Sequence, residues 1–273
     1  MNLKRPTLLF GFLATTCAML FARWSTAAEV DSATVPFQEI DCQGTYRGHL
    51  QGVAADGKGS IFWSFTDRLV KTDTAGKSLI AVEAPSHQGD LCFHEGKLYV
   101  AVNLGQFNKP AGEADSWVFV YDADTLKEIA RHPVTEVVHG AGGMDARAGH
   151  FLVIGGLPPG TNENYVYEYD ADFKFVQRHV ITSGYTLMGI QTATFHDGYW
   201  WFGCYGKPAE LLRTSPDFKE VKRWPYDAAL GIVGVAPGKF LVGRGTRGKE
   251  GHTGQLVPAV VEEMSGLKNI NSR

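Results

Sequence analysis

Short runs in which apolar and polar residues alternate, separated by turn residues, fill most of this chain. The clearest run is 118–129, VFVYDADTLKEI, which alternates, turns at Asp122-Ala123-Asp124 and then begins a second alternating run. A nearly identical text follows at 165–176, and weaker copies lie at 68–77 and 210–221. Alternation with a period of two indicates β-strands, and no long segment keeps the 3.6-residue period of a helix. The pattern therefore predicts a repeated strand–turn–strand module.

Five such units can be aligned, beginning near residues 49, 87, 143, 193 and 232. In each unit, the turn between the first and second strands contains a glycine: Gly57, Gly96, Gly149, Gly198 and Gly238. Glycine suits this position because a tight hairpin turn needs a positive φ. The fifth unit lacks a clear fourth strand, whereas the alternating segment at about 35–45 has no partner before it. We expect this N-terminal strand to complete the fifth unit and close a ring, which removes exposed sheet edges.

The repeated module resembles the β-propeller superfamily, loosely its NHL-repeat and lactonase-like branches, over most of the chain. The resemblance implies an all-β fold of five four-stranded blades, with functional loops gathered at one end of the central channel. A six-bladed ring with a cryptic blade and a β-sandwich are the alternatives. The expected organisation is one propeller domain at 35–264 and a C-terminal tail at 265–273.

The N-terminal segment has the three-part pattern of a signal peptide. Lys4 and Arg5 precede an apolar stretch at 8–22, and Ser25 and Ala27 supply the small residues of a cleavage site. The apolar stretch is short for a membrane span, although a retained N-terminal anchor is the alternative. We expect residues 1–28 to be removed and the mature protein to be secreted or periplasmic, with no membrane attachment.

Bulk composition narrows the classes of partner. The chain has 273 residues, a formal net charge of −3, and basic residues that are scattered apart from a short cluster at Arg244, Arg247 and Lys249. This gives no electrostatic basis for binding nucleic acid. After signal removal three cysteines remain, Cys42, Cys92 and Cys204, and their sequence does not decide whether any two form a disulfide. We expect a monomer.

Histidines recur where the chain enters the first three units. His49, His87 and His139 stand at nearly equivalent positions, the last shifted by one residue. Equivalent positions in a ring converge on its axis, so three imidazoles there could bind a divalent metal ion and leave sites open for water or substrate. Without a metal, His49 or His87 beside Asp90 could form a general acid–base pair. A purely structural role for these entry-loop histidines is the alternative.

The remaining candidates are polar residues that the ring would place around the same channel mouth. Gln51 and Gln191 accompany the entry segments, and the long loops between second and third strands begin near Asn103, Tyr205, Lys207 and Arg244. Long glycine-rich loops on a rigid scaffold are common places for binding, and Lys or Arg there would suit a carboxylate or phosphate. Simple solvation of these side chains is the competing interpretation.

Two functions from different classes remain open at this point. The first is a secreted or periplasmic binding protein that recognises a small molecule, glycan or protein on its loop-rich face. The second is an extracytoplasmic hydrolase or lyase that uses the histidine cluster, with or without a metal ion. Fold does not decide between them.

Overall fold

The computed structural model describes residues 35–270, and the predicted signal peptide lies outside them. The described chain consists of strands and connections without a helix, so it contains no helix that could cross a membrane. Twenty-one strands form five antiparallel sheets, which are the five blades of a β-propeller. The predicted fold class and blade number are confirmed.

Strand β1 (Ile40–Tyr46) comes first in the chain but belongs to the last blade. The first four blades each take four consecutive strands, from the channel outward. Their bounds are: blade 1, β2 (Leu50–Ala55), β3 (Ser60–Phe65), β4 (Arg68–Asp73) and β5 (Ser78–Glu83); blade 2, β6 (Gln88–His94), β7 (Lys97–Asn103), β8 (Ser116–Asp122) and β9 (Glu128–Pro133); blade 3, β10 (Ala141–Arg147), β11 (His150–Gly155), β12 (Asn164–Tyr169) and β13 (Phe175–Ile181); blade 4, β14 (Leu187–His196), β15 (Tyr199–Tyr205), β16 (Glu210–Thr214) and β17 (Val221–Trp224).

Blade 5 is built from both ends of the described chain. It contains β18 (Ile232–Ala236), β19 (Lys239–Arg247) and β20 (His252–Glu262), and the long outer edge of β20 is shared by two strands. β1 pairs with its first half, from His252 to Leu256, and β21 (Gly266–Asn269) pairs with its second half, from Ala259 to Glu262. The expected closure by the N-terminal strand is confirmed. The segment expected to be a C-terminal tail, 265–273, contains β21 and is therefore in part a strand of blade 5.

The apolar core is divided into five layers, one between each pair of neighbouring blades. Middle strands are covered on both faces, which is why a run such as Phe62-Trp63-Ser64-Phe65 is buried throughout. Outer strands alternate between half-buried and exposed residues, as in β5 and β9. The adjacent Trp200 and Trp201 are both buried, and they point into the core layers on opposite sides of blade 4.

The turn glycines have the backbone conformation that the sequence predicts. The five glycines predicted to have a positive φ between first and second strands all have one: Gly57, Gly96, Gly149, Gly198 and Gly238.

Within residues 35–270, Cys42, Cys92 and Cys204 are free and buried. The ring is therefore held by packing and backbone pairing rather than by a disulfide among these three residues.

The closing strand β1 is fitted against a glycine in the outer turn of blade 1. Gly76 has a φ of +79°, and its carbonyl accepts a hydrogen bond from the Gln43 backbone N–H at 2.9 Å. A Cβ at Gly76 would lie 1.9 Å from the Asp41 carbonyl oxygen, whereas Gly96, with a φ of +76°, has nothing within 4 Å of such a Cβ. The two glycines therefore share a backbone conformation but differ in what lies beside them.

We expect Gly76→Ala to destabilise the protein more than Gly96→Ala. The left-handed conformation alone should cost about 1–2 kcal/mol in either variant, and the clash with β1 should add about 1–3 kcal/mol in Gly76→Ala. Urea unfolding of the two variants and the wild type measures the difference. Equal losses in the free energy of unfolding would show that the contact between blade 1 and β1 is not tight.

Candidate functional site

Three histidines from different parts of the chain lie together at the end of the channel where the blades are entered. His49 directly precedes β2, His87 directly precedes β6, and His252 begins β20 of blade 5. The ring centroids of His49 and His87 are 6.3 Å apart, and those of His49 and His252 are 6.0 Å apart. Blade 5 is next to blade 1 in the closed ring, so the ring closure brings His252 to this place.

Hydrogen bonds connect these rings through two neighbouring polar side chains. The Thr66 hydroxyl lies 3.3 Å from His49 Nδ1 and accepts a bond of 3.5 Å from Gln51 Nε2. The same amide nitrogen lies 3.3 Å from His87 Nε2. Since an amide N–H can only donate, His87 Nε2 accepts, and the neutral ring carries its proton on Nδ1. We call the set His49, Gln51, Thr66, His87 and His252 the mouth cluster.

Burial keeps two of these imidazoles neutral. The pKa of His49 is lowered from 6.5, chiefly by burial and then by the positive charges that His87 and His252 would carry. The pKa of His87 is also lowered by burial, against a smaller opposing effect of a backbone hydrogen bond at Gln88. At neutral pH His49 and His87 are therefore uncharged donors and acceptors.

His139 does not join the mouth cluster. Its Nδ1 donates to the Lys109 carbonyl at 2.9 Å, and its ring lies 6.5 Å from that of Tyr165, on blade 3. One residue, Gly140 with a φ of +101°, separates it from β10, which begins at Ala141, whereas His49 and His87 directly precede their strands. In residues 35–270 no group of three or more His, Cys, Asp or Glu side chains is arranged to hold a metal ion. The expected set of His49, His87 and His139 is thus not brought together.

Asp90 lies deep in the channel, away from the imidazoles with which the sequence analysis paired it. Its side chain is 2% exposed, and one carboxylate oxygen accepts a bond of 3.0 Å from the Ala193 N–H of β14. Among the described residues neither His49 nor His87 hydrogen-bonds this carboxylate, and its other oxygen has no side-chain hydrogen-bond partner. Burial raises the pKa of Asp90 well above its usual value. The expected acid–base pair is therefore not formed by direct contact.

A second carboxylate, Asp145, binds the same inner strand. Its two oxygens accept bonds of 2.8 Å each from the backbone N–H groups of Phe195 and Ala146. Burial nevertheless raises its pKa to about 7, because it outweighs these hydrogen bonds. Both carboxylates thus accept hydrogen bonds from backbone N–H groups that the innermost strands leave unpaired at the channel.

The other predicted binding residues fall into two groups. Asn103 and Gln191 are buried and bond main-chain groups close to them in sequence. Asn103 bonds the Gly105 carbonyl at 2.9 Å and the Asp115 N–H at 3.0 Å, both in the loop between β7 and β8, and Gln191 bonds the Met188 carbonyl of β14 at 2.7 Å. Asn103 therefore shapes the loop between β7 and β8, and Gln191 supports the irregular first part of β14.

Tyr205 and Arg244 come together beside Asp227, between blades 4 and 5. Arg244 donates to the Asp227 carbonyl at 2.9 Å, and its guanidinium lies 5.7 Å from the centre of the Tyr226 ring. Burial, followed by the charge of Asp227, raises the pKa of Tyr205 to about 12. Lys207 is exposed. This patch can offer a phenol and a guanidinium to a ligand at the same end of the ring.

Sequence reasoning missed two members of the mouth cluster. His252 lies at the end of the loop that begins near Arg244 and not in an entry segment, so it does not share the sequence position of His49 and His87. Thr66 occupies the short connection between β3 and β4, where no long loop drew attention to it. The register of β19 with β20, which places Arg247 opposite His252, is the signal that could have located this histidine at the channel mouth.

We expect Asp145→Asn to change how stability depends on pH. The folded pKa of about 7 lies above the ordinary value of 3.8, so the folded state holds this proton more tightly than the unfolded state does. Stability from this group is therefore lost as pH rises from about 4 to about 7, and asparagine, which does not titrate, removes that loss.

The measurement is the free energy of unfolding of both proteins across this pH range. The variant should gain on the wild type as pH rises, and part of the wild-type slope should remain because the pKa of Asp90 is raised as well. Asp172→Asn, at a side chain that is 77% exposed, is the matched control and should follow the wild type. A constant difference between Asp145→Asn and wild type would contradict the assignment.

Comparisons with known proteins identify the fold and no closer relationship. No protein-family model matches the chain, and no curated protein matches it. A protein of unknown function from Bacteroides caccae aligns with a TM-score of 0.52 and 14% identity, covering 86% of this chain and 94% of the other. Myxococcus xanthus glutaminyl cyclase aligns with a TM-score of 0.54 and 13% identity, covering 83% of this chain and 100% of the other. The chain is a five-bladed β-propeller.

Proposed function

We propose that this propeller binds a small polar molecule at the mouth cluster. The observation that carries the proposal is the convergence of three imidazoles from blades 1, 2 and 5 on one patch, with ring centroids 6.0 and 6.3 Å from that of His49. A half-buried set of convergent polar groups at the end of a rigid scaffold is the usual form of a small-ligand site.

The chemistry of the mouth cluster favours recognition over catalysis. A catalytic imidazole is normally oriented by a carboxylate, but His49 is close to a hydroxyl and His87 to an amide. Both rings have a lowered pKa, so they offer neutral donors and acceptors to a ligand. A hydrolase or lyase remains the alternative in which the same imidazoles act on the bound molecule, and Asp90 would not contribute to it directly.

The binding proposal can be tested with a panel of small carboxylates, phosphates, amides and sugars. Binding is followed in ¹⁵N-labelled protein through the imidazole signals of its histidines. At least one compound should shift the signals of His49, His87 and His252 together. The double variant His49→Ala/His87→Ala should weaken its binding by about tenfold or more, because each lost hydrogen bond contributes on the order of 1 kcal/mol.

His94→Ala is the matched control, since His94 is the last residue of β6 and lies at the opposite end of blade 2. It should leave binding unchanged. If no compound shifts the three signals, or if the double variant binds as the wild type does, the mouth cluster is not the binding site. Turnover of a bound compound that is lost in the double variant would favour the hydrolase or lyase.

We also propose that the protein acts outside the cytoplasm. The support is the basic, apolar and small-residue pattern of residues 1–28. The N-terminal sequence of protein recovered from the producing cells should begin at Ala28 or Glu29. A protein that retains Met1 and stays with the membrane fraction would instead support the anchor.

A further inference from the structure

A cleft of about 720 Å³ separates the lower halves of blades 3 and 4. It opens at the end of the ring opposite the mouth cluster, because it is bordered by the turn between β10 and β11 and by the turn between β16 and β17. Polar side chains of blade 3 form one wall, and apolar side chains form most of the other. Its lining includes Arg147, His150, Leu152, Glu168, Gln177, His179, Trp200 and Phe218.

The polar wall is organised around Glu168. Its two carboxylate oxygens lie 2.7 Å from His150 Nδ1 and 2.7 Å from His179 Nε2, and Gln177 Nε2 donates to the second oxygen at 3.0 Å. Burial raises the pKa of Glu168, but the hydrogen bonds from Gln177 and His179 outweigh this and leave it lowered. The wall is therefore a fixed row of an ionised carboxylate, an amide and two imidazoles.

The internal repeat shows that this row is specific to one junction between blades. Four positions are equivalent, each two residues before the turn that follows the third strand: Lys71, Val120, Glu168 and Arg213. In blade 1, Lys71 Nζ reaches the Ala123 carbonyl of the next blade at 3.0 Å. In blade 4, the guanidinium of Arg213 lies 4.3 Å from the centre of the Tyr199 ring. At the junctions that follow blades 1 and 4, the equivalent side chain therefore has a partner within the protein and does not line an open cleft.

The junction between blades 2 and 3 is filled by aromatic packing instead. Tyr99 packs against Phe151 with ring centroids 4.3 Å apart and ring planes tilted by 41°, and Val120 behind it is buried. The position of Tyr99 in the repeat is taken in blade 3 by the shorter Leu152, and the polar Glu168 replaces Val120. The volume that an aromatic side chain occupies at the earlier junction is left open at this one.

The chemistry of the lining indicates an uncharged ligand that is rich in hydroxyl groups. Arg147 and Glu168 carry opposite charges, which cancel, and the guanidinium is fixed 3.8 Å from the centre of the Phe195 ring. Among the described residues the buried Trp200 Nε1 has no partner, and an unpaired buried donor is costly. Hydrogen-bonding side chains and the apolar Leu152 and Phe218 line the same cleft, so both the polar and the apolar faces of a ligand would be matched.

We propose that the cleft between blades 3 and 4 is a carbohydrate-binding site for a neutral sugar of one or two residues. Glu168 and Gln177 would hold hydroxyl groups, and the apolar wall would cover the C–H face of the ring. This site is independent of the mouth cluster, since it lies at the other end of the ring.

The experiment uses glucose, galactose, mannose, N-acetylglucosamine and their common disaccharides as probes. The readout is the indole N–H signal of Trp200, which Trp200→Phe identifies by its disappearance. At least one probe should shift this signal at millimolar concentration, and Glu168→Gln should weaken that probe's binding by about tenfold, since hydrogen bonds to charged groups are the strong ones. Glucuronate and glucosamine should bind less well than their neutral counterparts.

Glu83→Gln is the matched control, at a side chain on the outer strand of blade 1 that is 87% exposed. It should leave the binding unchanged, and unfolding curves of both variants check that the fold is intact. The proposal is overturned if no neutral sugar shifts the Trp200 signal, if Glu168→Gln binds as well as wild type, or if a charged probe binds best. Loss of binding in His49→Ala/His87→Ala would show that the sugar occupies the mouth cluster instead.

Discussion

The close approach of five inner strands at one axis is the constraint on which the rest of this propeller depends. Asp90 on β6 reaches past blade 3 and accepts a hydrogen bond from Ala193 of blade 4. Room for it exists only because Gly52 and Gly143 lack side chains, whose Cβ atoms would lie 2.2 and 2.9 Å from atoms of Asp90. Burying a carboxylate is expensive unless it is bonded or protonated, and the raised pKa of Asp90 reflects this cost.

A narrow channel filled in this way moves polar chemistry to the two ends of the ring. At one end, the entry segments of blades 1 and 2 and the start of β20 bring His49, His87 and His252 together. At the other end, the row around Glu168 lines a cleft between two blades. The five apolar layers between blades hold both ends at fixed positions, so a ligand at either end would not have to order the polar groups that it meets.

The repeat itself generates the difference between the two sites. Copies of one module place equivalent residues around the ring, and each copy can then change independently at positions that do not decide the fold. Lys71, Val120, Glu168 and Arg213 show this at a single position, where one module gives a bond to a carbonyl, an apolar contact, the polar wall of a cleft and a stack on aromatic rings. The repeated module explains the ring of blades, and the different side chains at equivalent positions explain the different chemistry of the junctions between blades.

The architecture was determined by the sequence alone, because strand alternation and turn glycines are local properties that repeat. Five blades and closure by β1 followed from counting units and finding one strand missing. The sites required the tertiary structure, since His252 reaches His49 only after the ring closes, and a one-residue offset before blade 3 sends His139 elsewhere. The role of Asp90 also required the tertiary structure. The sequence shows that Asp90 is close to His87 along the chain, but not that its side chain faces a backbone N–H across the axis.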